Sequence, residues 1–87
     1  MIIIGAQING DLKMTTYNGY KNWNEWNVSL WINNTEYDYK QAYTLVQKLG
    51  INKTARVLYD YYKGTRTPDG ATYTLSAIRA ALQGMDE

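Results

Sequence analysis

The 87-residue sequence contains neither cysteine nor histidine. The lack of cysteine excludes a disulfide scaffold, a thiolate zinc site and a cysteine nucleophile, and it is typical of proteins in a reducing cytosol. The lack of histidine removes the commonest general base, the commonest metal ligand and the usual pH switch. Both absences argue against an enzyme and favour a cytoplasmic protein.

Long hydrophobic runs are also absent from the sequence. No apolar stretch approaches the ~20 residues that a transmembrane helix needs. The apolar run Ile2-Ile3-Ile4 lacks the length and the basic flank of a signal peptide. We therefore expect a soluble intracellular protein with no membrane partner.

The sequence patterns of catalytic and metal sites are missing too. No two acidic residues are spaced as a general acid and base, and no Gly-rich phosphate loop or EF-hand ligand series occurs. Glu25 and Asp69 are explained by helix capping and by a turn. The sequence predicts no catalytic residues, no cofactor and no metal site.

Aromatic residues, by contrast, are abundant, and residues 17–34 contain all three tryptophans. Asn18-Gly19 is typical of a turn, and Asn22 can cap a following helix, with Glu25 as the fourth position of a capping box. Apolar residues surround most of that helix, which is typical of a helix enclosed by its neighbours. This stretch is expected at the centre of the core.

Three further helices are predicted from apolar periodicity and from glycines at their ends. The second helix has one apolar stripe, Asn52 is expected to cap the third, and Thr74 or Ser76 the fourth. Residues 65–70 (TRTPDG) predict a loop. The predicted helices cover about Trp23–Ile32, Glu36–Leu49, Lys53–Lys63 and Leu75–Gln83, and the predicted stripe of the second is Tyr39, Ala42, Tyr43, Val46 and Leu49.

The predicted fold is mainly α: a compact bundle of about four short helices in a single domain, residues 1–87, with its helical core in residues 15–87. Asn9-Gly10 is the strongest local signal for a β-hairpin turn, so residues 1–14 allow a small N-terminal β-hairpin extension. A competing interpretation is that Gly10-Asp11 reflects a ribosome-binding sequence, with translation beginning at Met14.

Positive charge is concentrated between residues 48 and 79, a segment that contains six cations and only two anions. Scattered lysines on solvated helix faces are the commonest explanation of such a bias, and a contact with phosphates or with an acidic protein is the functional one. The cations are Lys48, Lys53, Arg56, Lys63, Arg66 and Arg79.

One functional hypothesis is DNA binding. Residues 45–58 resemble a helix-turn-helix unit, in which Asn52, Lys53 and Arg56 would face the major groove. The register is imperfect, because Arg56 and Tyr59 occupy positions where a recognition helix usually buries aliphatic residues. DNA binding is therefore the alternative hypothesis.

The favoured hypothesis is protein binding, because the sequence has more tyrosines than one small core can bury. Exposed tyrosine beside arginine is typical of protein-binding hot spots. The predicted interface consists of Tyr59, Tyr61, Tyr62, Lys63 and Arg66, with Lys53 and Arg56 as a basic rim.

Residues 17–34 also carry a resemblance to a known family. The pattern YNGYxNxxxWNVxLWIxN is similar to a motif of small bacteriophage and prophage proteins, and Arg66-Thr67-Pro68-Asp69-Gly70 resembles the loop near their C-terminus. The likeness spans roughly residues 17–82 and excludes residues 1–13, and Glu25 stands where the family has threonine. The resemblance implies an accessory protein of the host cytoplasm that blocks a host defence nuclease or effector subunit, as anti-CRISPR and anti-restriction proteins do. It implies no catalytic residues.

Overall fold

The computed structural model of the protein describes residues 19–87, which form four helices joined by short connections. These are α1 (Trp23–Asn34), α2 (Glu36–Leu49), α3 (Ile51–Tyr62) and α4 (Leu75–Ala81). The prediction of a mainly α bundle of about four helices is confirmed. The predicted hairpin lies outside the described residues.

Each helix packs against two others, in the cyclic order α1, α2, α3, α4 and back to α1. Small and aliphatic side chains fill the space between them. The buried apolar side chains of this core are Val28, Ile32, Ala42, Val46, Ala55, Leu58, Ala71, Tyr73, Ala77, Ile78, Ala81, Leu82 and Met85.

The helix caps agree with the sequence at two positions and differ at a third. Asn22 Oδ1 accepts a hydrogen bond from the Glu25 amide, and Thr74 Oγ1 accepts one from the Ala77 amide. The predicted Asn52 cap is wrong, because α3 begins two residues earlier, at Ile51, and its N-cap is Gly50. Gly50 has a φ of 84° and a ψ of 168°, a conformation almost confined to glycine.

The tryptophans of α1 do not lie at the centre of the core. Trp23 is 40% exposed, while Trp26 and Trp31 are half-buried. The buried face of α1 is instead partly polar and comprises Glu25, Asn27, Val28, Ser29 and Ile32.

The apolar stripe predicted for α2 is only partly correct. Ala42 and Val46 are buried, whereas Tyr39 and Tyr43 are exposed and stack on each other with ring centroids 6.1 Å apart. The stacked rings lie at the border of the buried face, so they shield the core without entering it. The face predicted for α3, with Ala55, Leu58, Tyr59 and Tyr62, does pack against the core.

The predicted loop forms a narrow turn between α3 and α4. The Gly70 amide donates to the Thr67 carbonyl (2.8 Å), which closes a β-turn around Pro68 and Asp69. The Thr67 amide donates to the Ala71 carbonyl, and Arg66 and Thr72 form an isolated antiparallel bridge. No extended β-strand occurs within residues 19–87.

Candidate functional site: the two sides of α3

Asparagines of α1 hold the loop that follows α3. Asn24 makes a pair of hydrogen bonds with the Thr72 backbone: its side-chain amide donates to the carbonyl and its side-chain oxygen accepts from the N–H, both at 2.8 Å. Such a pair mimics the pairing of a neighbouring strand. It places residue 72 and the chain around it against α1.

A second contact lies deeper in the same interface. Asn27 is buried, its Oδ1 accepts from Thr67 Oγ1 (2.6 Å), and its Nδ2 donates to Asp69 Oδ2 (2.9 Å). Trp31 Nε1 donates to the same carboxylate oxygen (3.0 Å). These two hydrogen bonds, of which the one from Asn27 has the larger effect, lower the pKa of Asp69 below its ordinary value of 3.8. The tryptophan-asparagine motif and the TPDG turn are therefore partners in one structural contact.

Glu25 joins α1 to α4. Its carboxylate accepts a hydrogen bond from Ser76 Oγ (2.9 Å) and lies 3.4 Å from the Lys21 ammonium. The predicted capping-box role would direct this side chain back to the backbone of Asn22. The carboxylate instead contributes to the packing of α1 on α4.

This scaffold produces a concave surface on one side of α3, which we call the basic groove. It encloses about 410 Å³ between the C-terminal half of α3, the loop and the start of α4. Four predicted interface residues, Arg56, Tyr59, Lys63 and Arg66, meet there. The residues lining the basic groove are Arg56, Tyr59, Lys63, Gly64, Thr65, Arg66, Thr72, Tyr73, Thr74 and Leu75.

The three cations of the basic groove are not neutralised by described residues. No carboxylate between residues 19 and 87 lies within ion-pair distance of Arg56, Lys63 or Arg66, and none lines the groove. Arg66 is nonetheless held in place, because its Nη1 donates to the Gly70 carbonyl (3.1 Å) and to Thr72 Oγ1 (3.3 Å). The groove thus combines the oriented guanidinium of Arg66 with two further exposed cations, Arg56 of α3 and Lys63 at its C-cap.

The opposite side of α3 carries an aromatic cleft, lined by Tyr37, Asp38, Gln41 and Leu45 of α2 and by Val57, Leu58, Tyr61 and Tyr62 of α3. Tyr61 is 72% exposed and Tyr37 is 68% exposed, and the half-exposed Val57 lines the same cleft. The cleft encloses about 160 Å³. The predicted interface is therefore divided between two surfaces, with Tyr61 on this one.

Tyr62 has a structural role at the boundary between these surfaces. Its ring stacks on that of Tyr73 with centroids 4.1 Å apart and planes 6° from parallel, and Tyr61 packs edge-on against it at 5.0 Å. Burial, with a smaller contribution from the Asp38 charge, raises the pKa of both Tyr62 and Tyr73. The pair stays neutral and joins α3 to the segment before α4.

Two of the residues expected to read DNA, Lys53 and Arg56, are exposed on α3. Asn52 is exposed as well, but its Oδ1 accepts a hydrogen bond from Arg79 Nε (3.1 Å) and so ties α3 to α4. Lys53 lies outside the basic groove. Of the two residues predicted as a basic rim, Arg56 lines the groove and Lys53 does not.

Sequence reasoning missed several side chains of both surfaces. Thr72, Tyr73 and Leu75 reach the basic groove because the loop folds back on α1, and no periodic pattern signals such a return. Tyr37 could have been found, since it lies off the apolar stripe of α2 on the side facing α3. In the described part of the chain, no group of acidic side chains is arranged to hold a metal ion, and no helix has the length and apolar character to cross a membrane.

Fold and surface together define a small helical protein whose third helix presents a cationic groove on one side and an aromatic cleft on the other. The chain belongs to DUF7249, a family of unknown function, whose model matches residues 13–87. The comparisons with curated proteins and with solved structures each found no match.

Proposed function

We propose that the protein binds and inhibits a bacterial defence complex of the CRISPR or restriction type by covering a surface of its nuclease or effector subunit. Two different observations support the two halves of this proposal. The binding mode rests on the exposed tyrosines beside α3, and the defence target rests on the resemblance of the tryptophan motif to phage proteins. The setting is then the cytoplasm of the host cell.

The observation that carries the binding mode is the aromatic cleft. Tyr37 and Tyr61 line it and expose most of their surface, and the half-exposed Val57 lines it as well. A tyrosine can remove ~150–250 Å² from water when a partner covers it, at little cost in side-chain entropy. An exposed cluster of this kind is the typical centre of a protein interface.

The exposed cations of α3 and its following loop, most of which lie on the side of α3 away from the cleft, indicate the chemistry of the partner. Lys53 and Arg56 are exposed on the outer face of α3, and Lys63 and Arg66 continue the positive surface beyond its C-terminus. Asp60 is the one acid that α3 places among them. Such a surface favours an acidic partner and accelerates its approach.

The test is capture of a partner by immobilised full-length protein, followed by a cleavage assay with that partner. Tyr37→Ala/Tyr61→Ala should weaken capture at least about tenfold if both rings are hot spots. Tyr43→Ala is the matched control, because it removes an exposed tyrosine from the other side of α2. The wild-type protein should also inhibit cleavage by the captured nuclease.

Either of two results would contradict this function. One is capture of no nuclease or effector subunit, and the other is equal capture by wild type and the double variant. A captured nuclease that still cleaves at its full rate in the presence of excess protein would refute inhibition while leaving binding intact.

DNA binding is the second candidate, favoured by the exposure of Lys53 and Arg56 one turn apart on α3 directly after the Gly50 turn. Affinity for duplex DNA should then fall steeply with salt, and Lys53→Ala and Arg56→Ala should each lower the salt slope by about 1. A gel-shift titration at low salt measures both. Absence of any shift would rule out this alternative.

A further inference from the structure

The basic groove contains chemistry that a protein interface does not require. It is concave, it holds three cations with no described acid beside them, and it lies on the opposite side of α3 from the exposed tyrosines of the cleft. A phosphate monoester carries a charge of about −1.5 to −2 at neutral pH, so two or three cations match it. Arg66 is already oriented by the loop, which lowers the entropy lost when a guanidinium binds an oxyanion.

Hydroxyl groups add neutral donors to the same wall. Thr74 Oγ1 accepts from the Ala77 amide as the α4 cap, which leaves its own O–H directed elsewhere. Thr72 Oγ1 accepts from Arg66 Nη1 in the same manner. Oxygens of a phosphate group are strong acceptors for donors of this type.

The remaining walls of the groove are apolar. Tyr59, Tyr73 and Leu75 line it, and the first of these packs its ring against the core. Pockets that bind organic ligands typically combine such walls with a few polar groups and enclose ~300–1,000 Å³. At about 410 Å³ the groove falls in this range. It is larger than a bare phosphate ion requires.

We infer that the basic groove is a binding site for a small organic phosphate of nucleotide size, with the phosphate held by Arg56, Lys63 and Arg66 and the organic part against Tyr59 and Leu75. This site is separate from the aromatic cleft. Its cations also belong to the basic surface of the proposed function, but Tyr37 and Tyr61 do not line it, so loss of nucleotide binding and loss of partner capture at the cleft can be measured separately.

Nuclear magnetic resonance titration of the full-length ¹⁵N-labelled protein tests the site, with adenosine 5′-monophosphate, inorganic phosphate and adenosine as probes. The nucleotide should bind saturably, shift the amide signals of Thr65, Tyr73 and Leu75, and bind more tightly than either of its parts. Arg56→Gln/Lys63→Gln should weaken binding at least about tenfold, since each charged hydrogen bond contributes strongly. Lys63→Gln alone should give a smaller loss.

Lys48→Gln/Lys53→Gln is the matched control, because it removes the same charge from exposed positions outside the groove and should leave affinity unchanged. Tyr61→Ala should also bind the nucleotide as wild type does, which separates this site from the cleft. The inference is overturned if the nucleotide does not saturate, if both double variants weaken it equally, or if phosphate alone or adenosine alone binds as tightly as the nucleotide.

Discussion

Three asparagine side chains of α1 bond to chain segments at least 40 residues away in sequence. Asn24 binds the backbone at Thr72, Asn27 binds Thr67 and Asp69, and Asn33 binds the Ala81 carbonyl. Amide side chains can donate and accept at once, so each can satisfy backbone or hydroxyl groups that burial would otherwise leave unpaired. These three asparagines therefore make tertiary contacts within the protein, which supports a structural role for them and not a ligand-binding role.

Asn24→Ala should destabilise the protein by about 1–3 kcal/mol, because it removes two hydrogen bonds worth ~0.5–1.5 kcal/mol each. Chemical denaturation of both proteins measures the difference. Asn34→Ala is the control, since Asn34 is exposed and its side chain makes no hydrogen bond to another described residue, and it should change stability by less than ~0.5 kcal/mol. Equal losses in the two variants would contradict the assigned role of Asn24.

Asp69 should make stability depend on pH in the acid range. Its folded-state pKa is lowered, chiefly by the Asn27 donor, so its contribution is complete above the unfolded-state value near 3.8. That contribution is lost as the pH falls through the lower folded-state pKa. Urea denaturation of wild type and Asp69→Asn between neutral pH and pH ~2 should therefore show the advantage of wild type shrinking on acidification.

Asp86→Asn serves as the control for this pH dependence. Asp86 is exposed and makes no side-chain hydrogen bond or ion pair with the described residues. Its replacement should leave the stability profile parallel to that of wild type. A gap between wild type and Asp69→Asn that stays constant with pH would refute the role of the Asp69 carboxylate.

For the helices, the sequence predicted which segments are helical and where they end better than it predicted which of their side chains are buried. The bounds of α2 follow from its periodicity and from Gly50, and Asn22 marks the start of α1. The expectation that α1 is enclosed at the centre of the core was wrong for its tryptophans, because the buried positions include Asn27 and Ser29, whereas Trp23 is exposed and the other two tryptophans are half-buried. Hydrophobic periodicity cannot identify a face that is buried through hydrogen bonds to a distant loop.

Some residues of the candidate site could likewise be predicted from the sequence, and others could not. The sequence identified Arg56, Tyr59, Lys63 and Arg66, since charge and aromatic content are visible along one helix and its following loop. It did not identify Tyr73 or Leu75, which reach the groove only through the fold of the loop. It also combined Tyr61 with these residues, although α3 directs Tyr61 to the other side.

The corner between α2 and α3 depends on the backbone of Gly50. Its φ of 84° and ψ of 168° are strained for any residue with a Cβ, although no atom lies within 4 Å of where a Cβ would stand. Gly50→Ala should therefore cost about 1–3 kcal/mol through strain alone. Thermal denaturation measures the loss. Thr44→Ala, an exposed change inside α2, should not destabilise, and a neutral Gly50→Ala would mean that the corner adopts another conformation.

The whole molecule is a ring of four helices in which α3 separates two surfaces. The basic groove needs α3, the loop and α4, whereas the aromatic cleft needs α2 and α3. The stacked pair Tyr62 and Tyr73 lies between them. Because the surfaces share only this helix, variants of one surface should leave ligand binding at the other unchanged, which is the basis of the controls proposed for each.

The segment after α4 joins the two sides of this ring. Met85 is buried in the core, and its carbonyl accepts a 2.6 Å hydrogen bond from Gln47 Nε2 of α2. Deletion of residues 85–87 should cost about 2–4.5 kcal/mol, from ~1.5–3 kcal/mol for the buried methionine and ~0.5–1.5 kcal/mol for the hydrogen bond. Urea denaturation compares this protein with one lacking only residues 86–87, both of which are exposed.

The shorter deletion should remain within ~0.5 kcal/mol of the full chain, because it removes no buried side chain. If the longer deletion is equally mild, then the Met85 contact does not contribute to the core. If both deletions are costly, the stabilisation comes from the terminal turn that Glu87 closes on Gly84 and not from the link between α2 and the end of α4. The expected difference between the two deletions therefore measures how strongly this segment closes the ring.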